Sequence, residues 1–546
     1  MRFNLSVLFF LFFFHQTIAQ SLFQPLERQY LLSEEASINA KSSDLHTSIQ
    51  PFITKETKNL YNLDSLREGV HYPIQRKTFL GRTADNLLSN YIVKIDSGIV
   101  SIRVSPLFDF SGSYDPIKKV SYFTNTRGFL VNATFGKNVS FATGYYENQS
   151  TFPAYINAFA NTYGVVPGQG ITKPFKANGQ DYSIPFGYIV YSPSKYLTVQ
   201  FGQDKNFIGN GYRSLLLSDN ATNAPFLKLM SSFWHVKYMV LINSYNNITT
   251  TAQQSPLNGI NGVGYPQKYC AIHYLDWRVN KSLNIGLFES VTWVGHDSVS
   301  NRGFDWAYAN PVIFLKESNA NQGNPDNSII GMNVKYKWSN TFYTYGQLMI
   351  DDIKISEMEK KNSAYPQKYG FQLGGRWFNI AKIKGLAIQG EFDYVMPYSY
   401  SNYVSFQNYT NMGQSLADPQ NANFKEFVGI IDYNRKRWSI SNRTVYYLYG
   451  ADDSPKTNWG HNIFADKSVY GAAGYYMDRP TKILQGDLTT VLYDLMTVAY
   501  VINPRLNMRI EASYTYRTLN NNVSHDSNHI FGVSFKTALF NKYYDF

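Results

Sequence analysis

The sequence predicts an all-β protein: a transmembrane outer-membrane β-barrel of about 18 antiparallel strands, preceded by a short helical periplasmic segment. Three observations predict it. Side-chain polarity alternates with period 2 in segment after segment. Short turns alternate with long polar loops. The first residues read as an export signal.

Composition sets the bounds. The chain has 546 residues, with 44 Tyr, 38 Phe and only 16% charged residues, against roughly 25% in soluble domains. No run of about 20 apolar residues follows the leader, which excludes a helical membrane protein. The formal charge is +11. Lys and Arg are scattered singly along strands and turns, which predicts no nucleic-acid partner. The one cysteine, Cys270, excludes an intrachain disulfide and reads as a small buried residue in a strand.

Residues 1–19 read as a signal peptide: Arg2, an apolar run from Leu5 to Phe14, then Thr17-Ile18-Ala19 with cleavage before Gln20. Residues 20–85 lack period 2 and read as a partly helical periplasmic segment. Leu26, Tyr30, Leu31 and Ile38 form one stripe, with Ser33 as a cap, and Thr57–Leu66 suggests a second short helix.

Residues 86–546 read as the barrel. Alternation starts near Leu87. Phe129, Val131, Ala133 and Phe135 share a face, as do Val139, Phe141, Thr143 and Tyr145 beyond Gly136-Lys-Asn138. Leu386, Ile388, Gly390, Phe392 and Tyr394 oppose Gln389, Glu391 and Asp393. The run from Leu506 to Tyr516 sets apolar residues against a row holding Arg509, Glu511 and Arg517. Tyr514 and Tyr516 suit an aromatic belt, and the charged row suits a hydrated lumen, since Arg against lipid costs ~2–4 kcal/mol near the midplane. Turns such as Pro193-Ser-Lys195, Asn280-Lys-Ser282 and Asn434-Arg-Lys436 separate strands on one side. Loops such as Glu147–Asp181, Ser399–Asn423, Gly450–Asp487 and Asn520–Asn528 separate them on the other. About eight short turns with both ends periplasmic imply about 18 strands. Phe546 reads as the terminal aromatic of a final strand, as in a barrel-insertion signal.

One stretch differs from the rest. After the strand Leu197, Val199, Phe201, the chain becomes dense in Gly, Asn and charge through Asp204, Lys205, Asn206, Tyr212 and Arg213, then runs Leu215-Leu-Leu-Ser-Asp-Asn220. Gly density predicts a tightly turning ordered loop at the mouth or in the lumen. Asn206-Phe-Ile-Gly209, Gly211-Tyr-Arg-Ser214 and the run to Asn220 resemble the central motif of Wzi-type capsule-assembly barrels, and resemble RemB-like gliding-motility proteins more. Asn125-Thr-Arg-Gly128, Val166-Pro-Gly168, Asp326-Asn327, Tyr345-Gly-Gln347, Gly390-Glu-Phe392 and Pro397-Tyr398 extend the resemblance in order. It implies a non-catalytic barrel that handles or retains surface polysaccharide or supports gliding.

Asp204, Lys205, Asn206, Tyr212 and Arg213 are the candidate ligand-binding residues, for an anionic polysaccharide. Ion pairs that fix the loop are the alternative use of the same side chains. Asp351-Asp352 lacks a third carboxylate at calcium-loop spacing, and His525 with His529 lacks a further ligand, so no metal site is predicted. Neither a nucleophile elbow nor a phosphate loop is present, and His235 near Ser231 and Ser232 is the nearest catalytic pairing, so no enzyme and no cofactor are predicted. Expected partners are outer-membrane lipid, an anionic surface polysaccharide, and gliding or secretion envelope proteins. The alternatives are a porin-like channel and a structural subunit of an envelope complex.

Overall fold

Alternation gives each strand an apolar and a polar face, and both faces are satisfied when the sheet rolls into a cylinder with no free edge. A computed structural model shows this arrangement as a closed antiparallel barrel of 18 strands. It describes residues 22–58, 91–248, 265–296, 302–314, 326–358, 367–402, 404–454, 457–464, 481–537 and 540–546, with residues 60, 78, 81 and 360. The expected signal peptide, the onset of alternation near Leu87 and most of the second expected helix lie outside the described residues.

The wall begins with β1 (Val100–Asp115), β2 (Val120–Phe135), β3 (Val139–Thr151), β4 (Gly179–Tyr191), β5 (Leu197–Asp204) and β6 (Ala224–Phe233). It continues with β7 (Val236–Asn246), β8 (Gln267–Arg278), β9 (Leu283–His296), β10 (Asn327–Lys337), β11 (Phe342–Asp352) and β12 (Lys368–Phe378). It ends with β13 (Leu386–Val395), β14 (Phe424–Arg435), β15 (Trp438–Ala451), β16 (Asp487–Asn503), β17 (Met508–Asn520) and β18 (His525–Lys536). β18 closes on β1, from Phe531 opposite Tyr114 to Lys536 opposite Asp109. The strand Val93–Ser97 folds back on the start of β1 as a hairpin. The polar connection expected over Asn520–Asn528 is shorter than that, because β18 resumes at His525.

The outer face is apolar, as the alternation requires. Phe201 is 62% exposed, Leu373 60% and Val533 63%. Along β17, Ile510 faces outward while Arg509 and Glu511 face inward and are buried. No helix among the described residues is long and apolar enough to cross a membrane.

The outward row is not apolar everywhere. Lys268 and Asp276 point into the lumen from β8, where they bond Thr410 and Ser48. By parity, His273 points outward, and its cross-strand partner Glu289 does too. Residues 302–314 lie over this pair on the outer wall. The Phe314 N–H donates to Glu289 Oε2 at 2.6 Å, and His273 Nε2 lies 3.2 Å from the Tyr308 carbonyl. The same segment buries Trp293 and Ala271. A polar pair facing lipid is unfavourable, and this strap removes it from the hydrocarbon.

Helix α1 (Arg28–Asn39) enters the barrel at its short-turn end. Its N-cap is Glu27, not the expected Ser33, and the Glu27 side chain accepts from the Tyr30 N–H. The same carboxylate accepts from Arg509 at 3.0 Å, so the cap also docks the helix to the wall. A short helix, α2 (Thr54–Lys58), follows. Between them Ile49–Gln50 pairs with Phe207–Ile208, so the N-terminal segment meets the loop after β5 inside the barrel.

Leu373→Arg places a charge on the lipid face of β12 and is expected to destabilise the barrel by about 2–4 kcal/mol. Denaturant unfolding in lipid vesicles measures this, and an unchanged midpoint contradicts the assigned outer face.

Candidate functional site

The lumen is filled, and four stretches of chain fill it: residues 22–58, the loop 205–223, the connection between β13 and β14 (396–402 and 404–423) and the tail 540–546. A polar inner wall can face either water or protein, and here it faces protein. Lys237 Nζ lies 2.8 Å from Glu56, and Lys268 Nζ donates to the Asn408 carbonyl at 2.7 Å. Lys335 bonds Thr47, and Lys337 bonds the Ala40 and Ser43 carbonyls. Lys228 Nζ donates to Asn206 Oδ1 at 2.8 Å. These wall lysines are buried, and each carries its charge to an acceptor on an inner segment.

Arg213 is the centre of the loop and has no exposed surface. Its Nε and NH2 donate to the two oxygens of Glu426 on β14, both at 2.9 Å. Its NH1 donates to Asp545 of the tail at 3.2 Å. Tyr212 donates its hydroxyl to the other Asp545 oxygen, and Arg443 on β15 lies 3.5 Å from it. Burial opposes ionisation of Asp545, but Arg213 and Arg443 outweigh it and hold its carboxyl below the usual range.

The wall also grips the loop backbone. Glu391 on β13 accepts the Tyr212 and Arg213 N–H groups at 2.7 and 2.8 Å and the Tyr345 hydroxyl at 2.6 Å. Gln347 on β11 accepts from the Leu215 N–H and donates to the Ile208 carbonyl. Gly211 is required at this point: a Cβ there would sit 2.3 Å from Glu391 Oε2. Asp204 accepts the Lys205 N–H, and Lys205 Nζ reaches the Gly168 and Asp219 carbonyls at 2.6 and 2.8 Å. Burial pushes the Lys205 ammonium down to about 8, against the pull of Asp219 and Asp204.

The tail overturns the terminal-strand expectation for Phe546. β18 ends at Lys536, and the last residues turn back through the lumen. Asn541 bonds the Leu26 carbonyl and Asp219, Lys542 bonds Asp109, and Tyr543 bonds Asp219. The Phe546 carbonyl accepts from Arg517 at 3.0 Å. Its ring packs 5.4 Å from Phe159 on helix α3 (Ala154–Tyr163), which lies in the connection between β3 and β4. The charged row of β17 is therefore not hydrated as expected. Arg509 and Glu511 pair with each other and with Glu27 and Lys536.

Asp204, Lys205, Asn206, Tyr212 and Arg213 thus lie in one network whose partners are protein groups. Sequence reasoning did not single out Glu426, Asp545 or the wall lysines. Glu391 and Gln347 were read only as members of alternating strands and of matched tripeptides. Inward parity on an all-Gln/Glu/Asp row was the available signal for Glu391. Asp351 accepts the Tyr400 N–H at 2.7 Å. His235 accepts from Arg278, and His529 packs on Tyr514 and Tyr516. Neither arrangement holds a nucleophile. A cavity of about 140 Å³ remains between α1 and the wall, beside Arg28, Tyr212, Tyr343 and Arg376.

No family model and no curated protein matches the chain. Solved structures do match. Wzi of Escherichia coli, an outer-membrane protein involved in group 1 capsule assembly and a carbohydrate-binding β-barrel, aligns with a TM-score of 0.53 at 14% identity, covering 95% of this chain and 100% of that one. OprD of Pseudomonas aeruginosa aligns at 0.42 and 10% identity, over 80% of this chain and 93% of that one. OccK7 of the same organism aligns at 0.40 and 8%, over 80% and 99%. At these identities the likeness is one of fold. With the apolar exterior, it identifies the chain as an outer-membrane barrel.

Arg213→Ala leaves Glu426 buried without its guanidinium and Asp545 with Arg443 alone, and is expected to cost about 3–5 kcal/mol, read by denaturant unfolding in detergent. Deleting residues 540–546 is expected to turn an electrically silent barrel into a conducting one in planar bilayers. Continued silence would mean that the other inner segments close the lumen without the tail.

Proposed function

We propose that this barrel is a non-catalytic scaffold that binds anionic surface polysaccharide at its long-loop face. The filled lumen carries the proposal. A pore needs a continuous water path, whereas here the inner wall is occupied by protein groups, and the mouth loops are bonded to the inner segments, as Gly168 is to Lys205. Such a barrel holds an outward surface rigid. The described function of Wzi, capsule assembly and carbohydrate binding, supports polysaccharide as the ligand class.

In this reading Asp204, Lys205, Asn206, Tyr212 and Arg213 fix the loop that supports the mouth. Contact with the glycan falls to exposed side chains there. Lys119, Lys173, Lys176 and Lys482 are exposed on the long-loop side. Exposed amines on one face attract a polyanion and give binding that weakens with salt.

Replacing these four lysines by alanine is expected to weaken binding to an acidic capsular polysaccharide at least about tenfold at low salt while leaving the barrel folded. Titration of the purified protein against acidic and neutral polysaccharides measures it. Equal affinity of variant and wild type would remove the long-loop amines from the account. A steady open conductance of the wild type would favour the channel reading.

A further inference from the structure

Next to the Arg213 fork lie two more carboxylates, Asp393 on β13 and Asp418 in the loop between β13 and β14. One oxygen of each of Asp393, Asp418 and Glu426 lies within 4.8 Å of the others. None of the three has exposed surface. Asp393 and Glu426 are also register partners on adjacent strands, so two like charges face inward directly opposite one another, an unfavourable pairing unless something neutralises it.

Their counter-charges are too few. Both Glu426 oxygens are taken by Arg213. Asp418 receives the Gln420 N–H at 2.8 Å and stands 3.8 Å from Arg213 Nε. Asp393 receives a neutral amide from Gln372 at 2.8 Å. Oδ2 of Asp393 and Oδ2 of Asp418 accept no hydrogen bond. Arg213 thus divides its charge among Glu426, Asp418 and Asp545, while Asp393 and Asp418 each keep a bare oxygen.

We propose that Asp393, Asp418 and Glu426 bind a divalent cation of the calcium class. The donors are all carboxylate oxygens, the choice of hard cations. Calcium takes oxygens at about 2.3–2.6 Å in flexible geometry, whereas magnesium demands a near-ideal octahedron at about 2.0–2.1 Å, so carboxylates set by two wall strands and a loop suit the less demanding ion. Asp418 belongs to the mouth loop and the other two to neighbouring wall strands. The ion therefore ties the loop to the wall at the point where Arg213 ties the inner segment to it. This inference is independent of the polysaccharide reading.

The test uses the full-length mature protein in detergent, dialysed against calcium and then against EGTA. Elemental mass spectrometry is expected to find about one calcium per chain. The unfolding temperature, read from heat-modifiable gel mobility, is expected to be at least about 5 °C higher with calcium than with EGTA. Asp393→Asn is expected to abolish both the bound metal and the calcium response. Should that variant not fold, Asp418→Asn in the loop takes its place. A wild type that carries no metal and unfolds at the same temperature in calcium and EGTA overturns the proposal and leaves a shared proton as the neutralising species.

Discussion

The fork from Arg213 to Glu426 is the contact on which the rest of the interior depends. It joins the loop after β5 to the wall, and through Asp545 it joins both to the tail. A buried guanidinium is tolerated only when its donors are filled by charge-matched acceptors in fixed geometry. That requirement sets the position of Glu426 on β14, of the tail and of Tyr212, whose hydroxyl takes the second Asp545 oxygen. The backbone on either side is then held by Glu391 and Gln347.

The same logic runs down the barrel. A wall whose inner row is Lys, Gln, Glu and Asp has two stable surroundings, water or a protein partner for each polar group. Here the N-terminal segment, the loop after β5, the β13–β14 connection and the tail supply the partners, mostly through backbone carbonyls and short side chains. A filled lumen is a consequence of chemistry on both sides of the contact. It also gives the mouth loops a rigid floor, and this distinguishes the molecule from a pore built on a similar cylinder. The strap over His273 and Glu289 follows the rule in reverse, since polar groups aimed at lipid are covered from outside.

Much of the wall was legible because period 2 is a local signal. The facing of Phe201, Ile510, Arg509 and Glu511 was read from alternation and holds in the structure. So does the number of strands, since eight short turns suffice to count them. The interior was far less legible. Arg213 was recognisable as unusual, but Glu426 and Asp545 stand 213 and 332 residues away in the chain. Glu27 was not singled out, since Ser33 was expected as the cap, yet Glu27 caps α1 and pairs with Arg509 across 482 residues.

The chain alone determined the class of the molecule, its lipid-facing rows and the identity of the unusual loop, because these depend on spacing between near neighbours. Whether the inner row would meet water or protein was decided only by the closed tertiary structure. The tail shows why: Tyr543, Asp545 and Phe546 carry no local pattern that directs them inward. They occupy the lumen because the closed wall places Arg213, Arg443 and Arg517 where a carboxylate and a chain-end carbonyl can satisfy them.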